Sequence, residues 1–289
     1  MDYTISSIQA AIDAGTNIAE PKVPTHHKDG RIPYAVVPDN CKVLSLEHLL
    51  PYPTRARGRV EVADDSSFIA YVNGHKWPGR TTIYVDMDSQ SSKISLVSVL
   101  DDHSREDVDN TAEEPGFREH LCVMNPKHSV EWTRWIGNNK APMSQAEFAT
   151  WLEDNLPDIA DVAGMPTGAE MLKMALGFER NAEKRLNSRI DLQSGGVRFE
   201  WIDDETKDTR TSMEVFKRFT IGIPVFDGAK VAYPIEARLK YREQPGGGKV
   251  SFYYELIRHD LVFRQAVEES VQKIIDGTGI LVLSGRPGI

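Results

Sequence analysis

"RTTIYVDMDSQSSKISLVSVLD", residues 80 to 101, holds two runs rich in β-branched residues separated by the small polar stretch "SQSS". The pattern predicts an antiparallel hairpin. With the turn centred near Gln90 and Ser91, Asp86 pairs near Ser95 and Asp101 falls opposite Arg80. The second run, "ISLVSVL", is apolar on both faces, so its sheet must be covered by helices or by another subunit.

Around this hairpin, "GRVEV" at 58–62 and "EHLCVMNP" at 119–126 read as further strands of a first sheet. "SSFIAYVNGH" between them fits a short helix or a strand equally well. Upstream, Ile5, Ile8, Ala11 and Ile12 have helical spacing and Gly15 a stop, while 20–33 is a proline-rich polar loop. Strand-like pieces follow at 34–37 and 42–46, then a helical turn, "SLEHLLP".

The middle of the chain predicts three helices. Ser129 is placed to cap the first, which sets Trp132 and Trp135 on one face. Ser144 and Glu147 form a capping box on the second, whose inward stripe is Phe148, Trp151 and Leu152. The third, "GAEMLKMALGF", is expected to bury Met171, Leu172, Ala175 and Leu176 and to end near Gly177.

The last third reads as strands: "RIDLQ", "GGVRFEWID", "VFKRFTIGIPVF", "KVAYPIEARLKYRE" and "KVSFYYELIR". The separators carry glycine or aspartate, which turns favour. From Lys230 to Arg242 apolar and charged residues alternate, the mark of a strand with one wet face. Pro224 and Pro234 lack amide donors and belong at a sheet edge or bulge. Asp260 is expected to cap a helix over 260–276 that stops at Gly277, and "GILVLSG" to end the chain as a strand. The expected class is α+β, with antiparallel sheets in the N- and C-terminal parts and a helical middle segment. Its regions are 1–128, 129–185 and 186–289, joined in one unit.

Composition bounds the function. The net charge is −9, and "DDHSREDVDNTAEE" at 101–114 alone carries −6, leaving −3 elsewhere. An acidic surface opposes non-specific grip on phosphate backbones, though a local basic patch can still provide it. No apolar run approaches the roughly 18 residues needed to span a bilayer. The N-terminus carries Asp2 and Asp13 and no basic segment, unlike a signal peptide. Cys41 and Cys122 stand far apart, as free thiols of a reducing cytoplasm do.

Asp101, Asp102, His103 and His120 flank the acidic stretch and are candidates for a metal or acid/base site. Asp86 and Asp88 cannot join them, because the register separates the two pairs by roughly 20 Å at about 3.3 Å per residue. Adjacent aspartates on a strand point to opposite faces, and no further His or Cys completes a tetrahedral set. A solvated loop is therefore the favoured reading. His26 and His27 read as surface residues, and "PGGGK" at 245–249 as a hairpin turn, since a strand follows it. No GxSxG, HExxH or CxxC occurs, so no catalytic residue, metal or cofactor is assigned. Arg55, Arg57 and Arg59, and Lys230, Arg238, Lys240 and Arg242, set cations at alternate positions that could touch phosphates or another subunit. Ion pairing with neighbouring acids, or with another subunit, is the favoured reading of both rows. The tryptophans at 132, 135 and 151 read as core.

The stretches "YVDMDSQSSKISLVSVLDDH", "EWTRWIGNN" with "SQAEFATWLEDNLPDI", and "EARLKYREQPGGGKVSFYYELIRHD" resemble the YfdQ-like proteins of bacteriophages and enterobacterial prophages. That family has no known function, and the likeness spans nearly the whole chain. It implies a phage accessory protein of the bacterial cytoplasm and brings no catalytic residues with it. The expected function is non-enzymatic, through homo-oligomeric assembly or binding of a host or phage protein. Nucleic-acid binding in phage recombination or replication is the first alternative, and a metal-dependent hydrolase the second.

Overall fold

The computed structural model describes residues 51–103, 115–180, 185–191, 197–202, 210–243 and 250–289. The expectations for 1–50, including His26, His27 and Cys41, for the acidic loop 104–114 and for the 245–249 turn lie outside these residues. The chain divides into two units, Met1–Ala56 and Arg57–Ile289, and every element named below belongs to the second.

Strand β1 (Gly58–Val62) leads into helix α1 (Asp65–His75), which settles the ambiguous stretch as helix. Asp64 caps it by accepting the Ser67 N–H at 2.9 Å, satisfying one of the donors that a helix start leaves unpaired. The hairpin forms β2 (Thr82–Asp88) and β3 (Lys93–Val99), with Asp86 opposite Ser95 as the turn requires. β4 (His120–Met124) lies antiparallel to β3 and parallel to β1.

Ser129 and the Ser144–Glu147 capping box start α2 (Val130–Gly137) and α3 (Gln145–Asp154) as expected. Helix α4 (Gly168–Arg180) departs from the expected pattern. It buries Met171, Met174 and Ala175, whereas Leu176 is 43% exposed. Positions 171, 174 and 175 follow the i, i+3, i+4 rule, so the buried stripe passes residue 176 by. Gly177 does not end the helix, which continues to Arg180.

Two three-stranded antiparallel sheets follow. β5 (Arg185–Asp191), β6 (Val197–Ile202) and β7 (Arg210–Val215) form one. β8 (Arg218–Ile223), β9 (Tyr233–Glu243) and β10 (Val250–Leu256) form the other, with β9 central. The single strand expected over 215–226 is thus split: Val215 closes β7, Phe216 and Lys217 break the chain direction, and only 218–223 belongs to β8. Pro234 lies on the central strand, yet β10 pairs with β9 only from Ala237 to Glu243. At Pro234 only β8 is a neighbour, so the missing amide faces a locally open edge.

Helix α5 (His259–Thr278) is longer than expected at both ends. Arg258, in a left-handed conformation (φ 51°), occupies the N-cap position without a side-chain bond. Asp260 sits in the first turn, paired with Arg258 at 3.2 Å instead of capping. The helix ends at Gly279 (φ 70°), not at Gly277. β11 (Val282–Ser284) then pairs in parallel with β2. The first sheet therefore runs β1-β4-β3-β2-β11, mixed through its two parallel outer pairs, in a chain whose class is α+β.

Helices α1 and α5 lie side by side and run in the same direction, since Asp65 meets Ser270 (2.6 Å) near one end and Lys76 meets the Thr278 carbonyl (2.7 Å) at the other. Their Phe68, Val72, Phe263 and Ile274 share a core with Ile83, Leu96, Cys122 and Met124 of the first sheet. On the β8–β10 sheet, Trp135 meets Tyr254 and Phe148 meets Phe252, joining α2 and α3 to β10. His128, Trp132, Phe226 and Phe263 pack ring to ring where the two halves of the core meet.

Candidate functional site

Asp101 and His120 are brought together from the two sides of the acidic stretch, but the side chains of Asp101, Asp102, His103 and His120 turn to different partners. The Asp101 carboxylate accepts the backbone N–H groups of His120 (2.9 Å) and Glu119 (3.0 Å). Asp102, 5% exposed, accepts the His103 N–H at 2.9 Å, pairs with Arg118 at 3.2 Å and takes a long bond from the Tyr84 hydroxyl at 3.4 Å. His103 Nδ1 accepts the Gly116 N–H at 3.0 Å, which places the ring proton on the other nitrogen. A Cβ at Gly116 would collide with the carbonyl oxygens of Asp101 and Asp102, so the two ends of the loop approach too closely for any side chain there.

His120 faces helix α1. Its Nε2 lies 2.9 Å from the Tyr71 hydroxyl, and its ring meets His75 edge-on at 5.3 Å between centroids. Burial, then the neighbouring His75, holds the His120 imidazole below the usual histidine range, against a smaller opposing pull from Asp101. Burial pushes the Cys122 thiol up to about 11, so it stays protonated and is a poor nucleophile. Tyr71 and His75 are the partners that the sequence alone did not single out. Their i, i+4 spacing was a usable signal only once 65–75 was known to be helical. Chemically, this cluster uses its carboxylate oxygens to tie residues 101–103 to residues 118–120. Among the described residues, no three His, Cys, Asp or Glu side chains are arranged to hold a metal ion.

The two cationic rows diverge. Arg57 precedes β1 and pairs with Glu119 at 3.5 Å, and Arg59 pairs with Glu61 at 2.9 Å. Arg55 belongs to the first unit. These arginines do not share one strand face, because β1 begins only at Gly58. On β9, by contrast, Arg238, Lys240 and Arg242 are all exposed on one face, and none forms an ion pair with a described residue. Alternation puts them roughly 7 Å apart in succession. Opposite them on β10 stand Glu255, Tyr253 and Ser251, in register with Arg238, Lys240 and Arg242 respectively. On the other flank, Arg218 is neutralised by Glu236 at 2.7 Å. The inner face of the same sheet buries Ile235, Ala237, Phe252 and Tyr254, while the outer face keeps Arg238, Lys240 and Arg242 exposed, with Ser251 buried beside Arg242.

The family described as "Uncharacterized conserved protein (DUF2303)" matches residues 6–287. The chain belongs to that family. The matched stretch spans all three sheets and the helices among them, including the Asp101–His120 cluster and the β9 face. No curated protein and no solved structure matches the chain. Among the described residues, no helix is long and apolar enough to cross a membrane.

Proposed function

We propose that this DUF2303 protein is a non-enzymatic accessory protein that works by binding, and that the outer face of β8–β10 is its contact with nucleic-acid phosphates. The observation that carries this reading is the row Arg238, Lys240, Arg242: exposed cations without ion-pair partners among the described residues, in a chain whose net charge is −9. Three adjacent cations without an acidic partner form a local basic patch, which favours phosphate contact even on an acidic protein. The resemblance to phage and prophage proteins fits such a role in a bacterial cytoplasm. The test is fluorescence anisotropy with labelled oligonucleotides and the full-length protein, at low and moderate salt. Three phosphate contacts give a slope of log affinity on log salt of about −2 for a single strand. Replacing all three cations by alanine should abolish binding while the thermal midpoint holds. Undetectable binding to the native protein at low salt, or full binding by the triple variant, refutes the reading.

A second reading, homo-oligomeric assembly, draws on the sheet edges. Among the described residues β1 and β11 each pair on one side only, and Leu281 beside β11 is 64% exposed. An open edge with an apolar neighbour is a template for strand addition by a second copy. A strict monomer by native mass spectrometry at micromolar concentration removes it.

A further inference from the structure

Building on the cationic face, we infer that its ligand is single-stranded nucleic acid, with Tyr253 as the platform on which a base stacks. Tyr253 lies on β10 directly across from Lys240, at the centre of the patch. Its ring is half-buried and makes no ring contact or hydrogen bond with a described residue. The other large aromatics of this sheet behave differently. Phe252 and Tyr254 point inward and pack against Phe148 and Trp135. Tyr253 is therefore a half-buried aromatic side chain on the outer face of the sheet, with core packing assigned to Phe252 and Tyr254.

Geometry selects the class of nucleic acid. Adjacent strands lie about 4.8 Å apart, so Tyr253 on β10 sits beside the cation row on β9. Arg238 and Arg242 are the diagonal neighbours of Tyr253, at roughly 7–8 Å between backbones. A backbone tracking β9 would set its phosphates on the three cations and turn a base sideways over Tyr253. In a duplex the base faces are already stacked and cannot reach the ring, whereas a single strand offers every base. The three cations span about 13 Å, so the face holds a short stretch of two or three nucleotides. Stacking on Tyr253 is independent of sequence, because every base has a π face. Glu255, across from Arg238, limits one end of the track and opposes a phosphate there.

The experiment compares a labelled thymidine decamer with a labelled 10-base-pair duplex, by anisotropy in 50 mM salt, on the native protein and on Tyr253→Leu and Tyr253→Phe. The single strand should bind at least tenfold more tightly than the duplex. Tyr253→Leu should weaken it by roughly 5- to 150-fold, while Tyr253→Phe, which keeps the ring, should bind like the native protein. Thermal midpoints of both variants should match the native value, since the hydroxyl has no partner among the described residues. Equal binding of strand and duplex, or full binding by Tyr253→Leu, overturns this inference and leaves the phosphate-contact reading standing. Failure of the native protein to bind either oligonucleotide overturns both.

Discussion

Gly277 offers a sharp test of how α1 and α5 pack. A Cβ built there would lie 2.9 Å from both Cδ1 and Cγ2 of Ile69, closer than real side chains approach. Two effects oppose each other when Gly277 becomes alanine. The helix gains about 0.5–1 kcal/mol, because alanine loses less backbone freedom than glycine. Overpacking costs about 1–3 kcal/mol, because Ile69 must leave its rotamer or the helices must separate. Separation would also strain the bonds from Asn73 to the Gly277 carbonyl (2.8 Å) and from Lys76 to the Thr278 carbonyl (2.7 Å), which satisfy the last turn of α5. The net expectation is a loss of about 1 kcal/mol. In an Ile69→Ala background the space is free, and the same change should stabilise by about 0.5–1 kcal/mol. The double-mutant cycle therefore has a coupling energy of about 2 kcal/mol. Urea unfolding of the four proteins, with equal m-values, reads it directly. Stabilisation by Gly277→Ala in the native background, or additivity within about 0.5 kcal/mol, would refute the packing argument.

Three other outcomes are expected. Asp101→Ala leaves the Glu119 and His120 amides without their acceptor and should cost about 2 kcal/mol in urea unfolding, with no change in bound Zn, Mn or Mg by elemental analysis; loss of a stoichiometric metal would restore the metal-site reading. Burial holds His128 and His120 below the usual histidine range, with a smaller opposing effect at His128 from the Ser92 carbonyl. The unfolded chain then binds more protons than the folded one, so stability is full above about pH 6.5 and declines as pH falls below it. His128→Phe, which keeps the ring packing against Trp132, Phe226 and Phe263, should flatten the decline seen by thermal unfolding between pH 7 and pH 5. An unaltered profile would show that His128 is not a source of it. Finally, Ser144→Ala removes half of the capping box on α3 and should cost about 1 kcal/mol, read as a lower thermal midpoint; no change would mean the helix start is held by packing alone.

What could be read from the chain, and what could not, follows the range of the forces involved. The register of β2 and β3, the Ser129 cap and the Ser144–Glu147 box depend on residues within a few positions of each other, and the sequence determined them. The alternation on β9 likewise predicted which face is wet. The sequence also separated Asp86 from Asp101, and Asp86 instead meets Arg286 (2.6 Å), a residue 200 positions away. Partner choice at that distance is not written in any local pattern. It took the tertiary structure to show that 66–75 is helical, because helix and strand bury that stretch comparably until α5 provides the surface it packs on. Gly277 had the look of a helix stop, since a glycine near the end of a periodic run has that signature. Its task is close approach to Ile69, which only the packed pair of helices reveals. The two cationic rows looked alike in sequence. Folding brought Glu119 to Arg57 and left Arg238, Lys240 and Arg242 beside Tyr253. The contrast between a compensated and an uncompensated charge is a property of neighbours in space, and the proposed contact with phosphates rests on it.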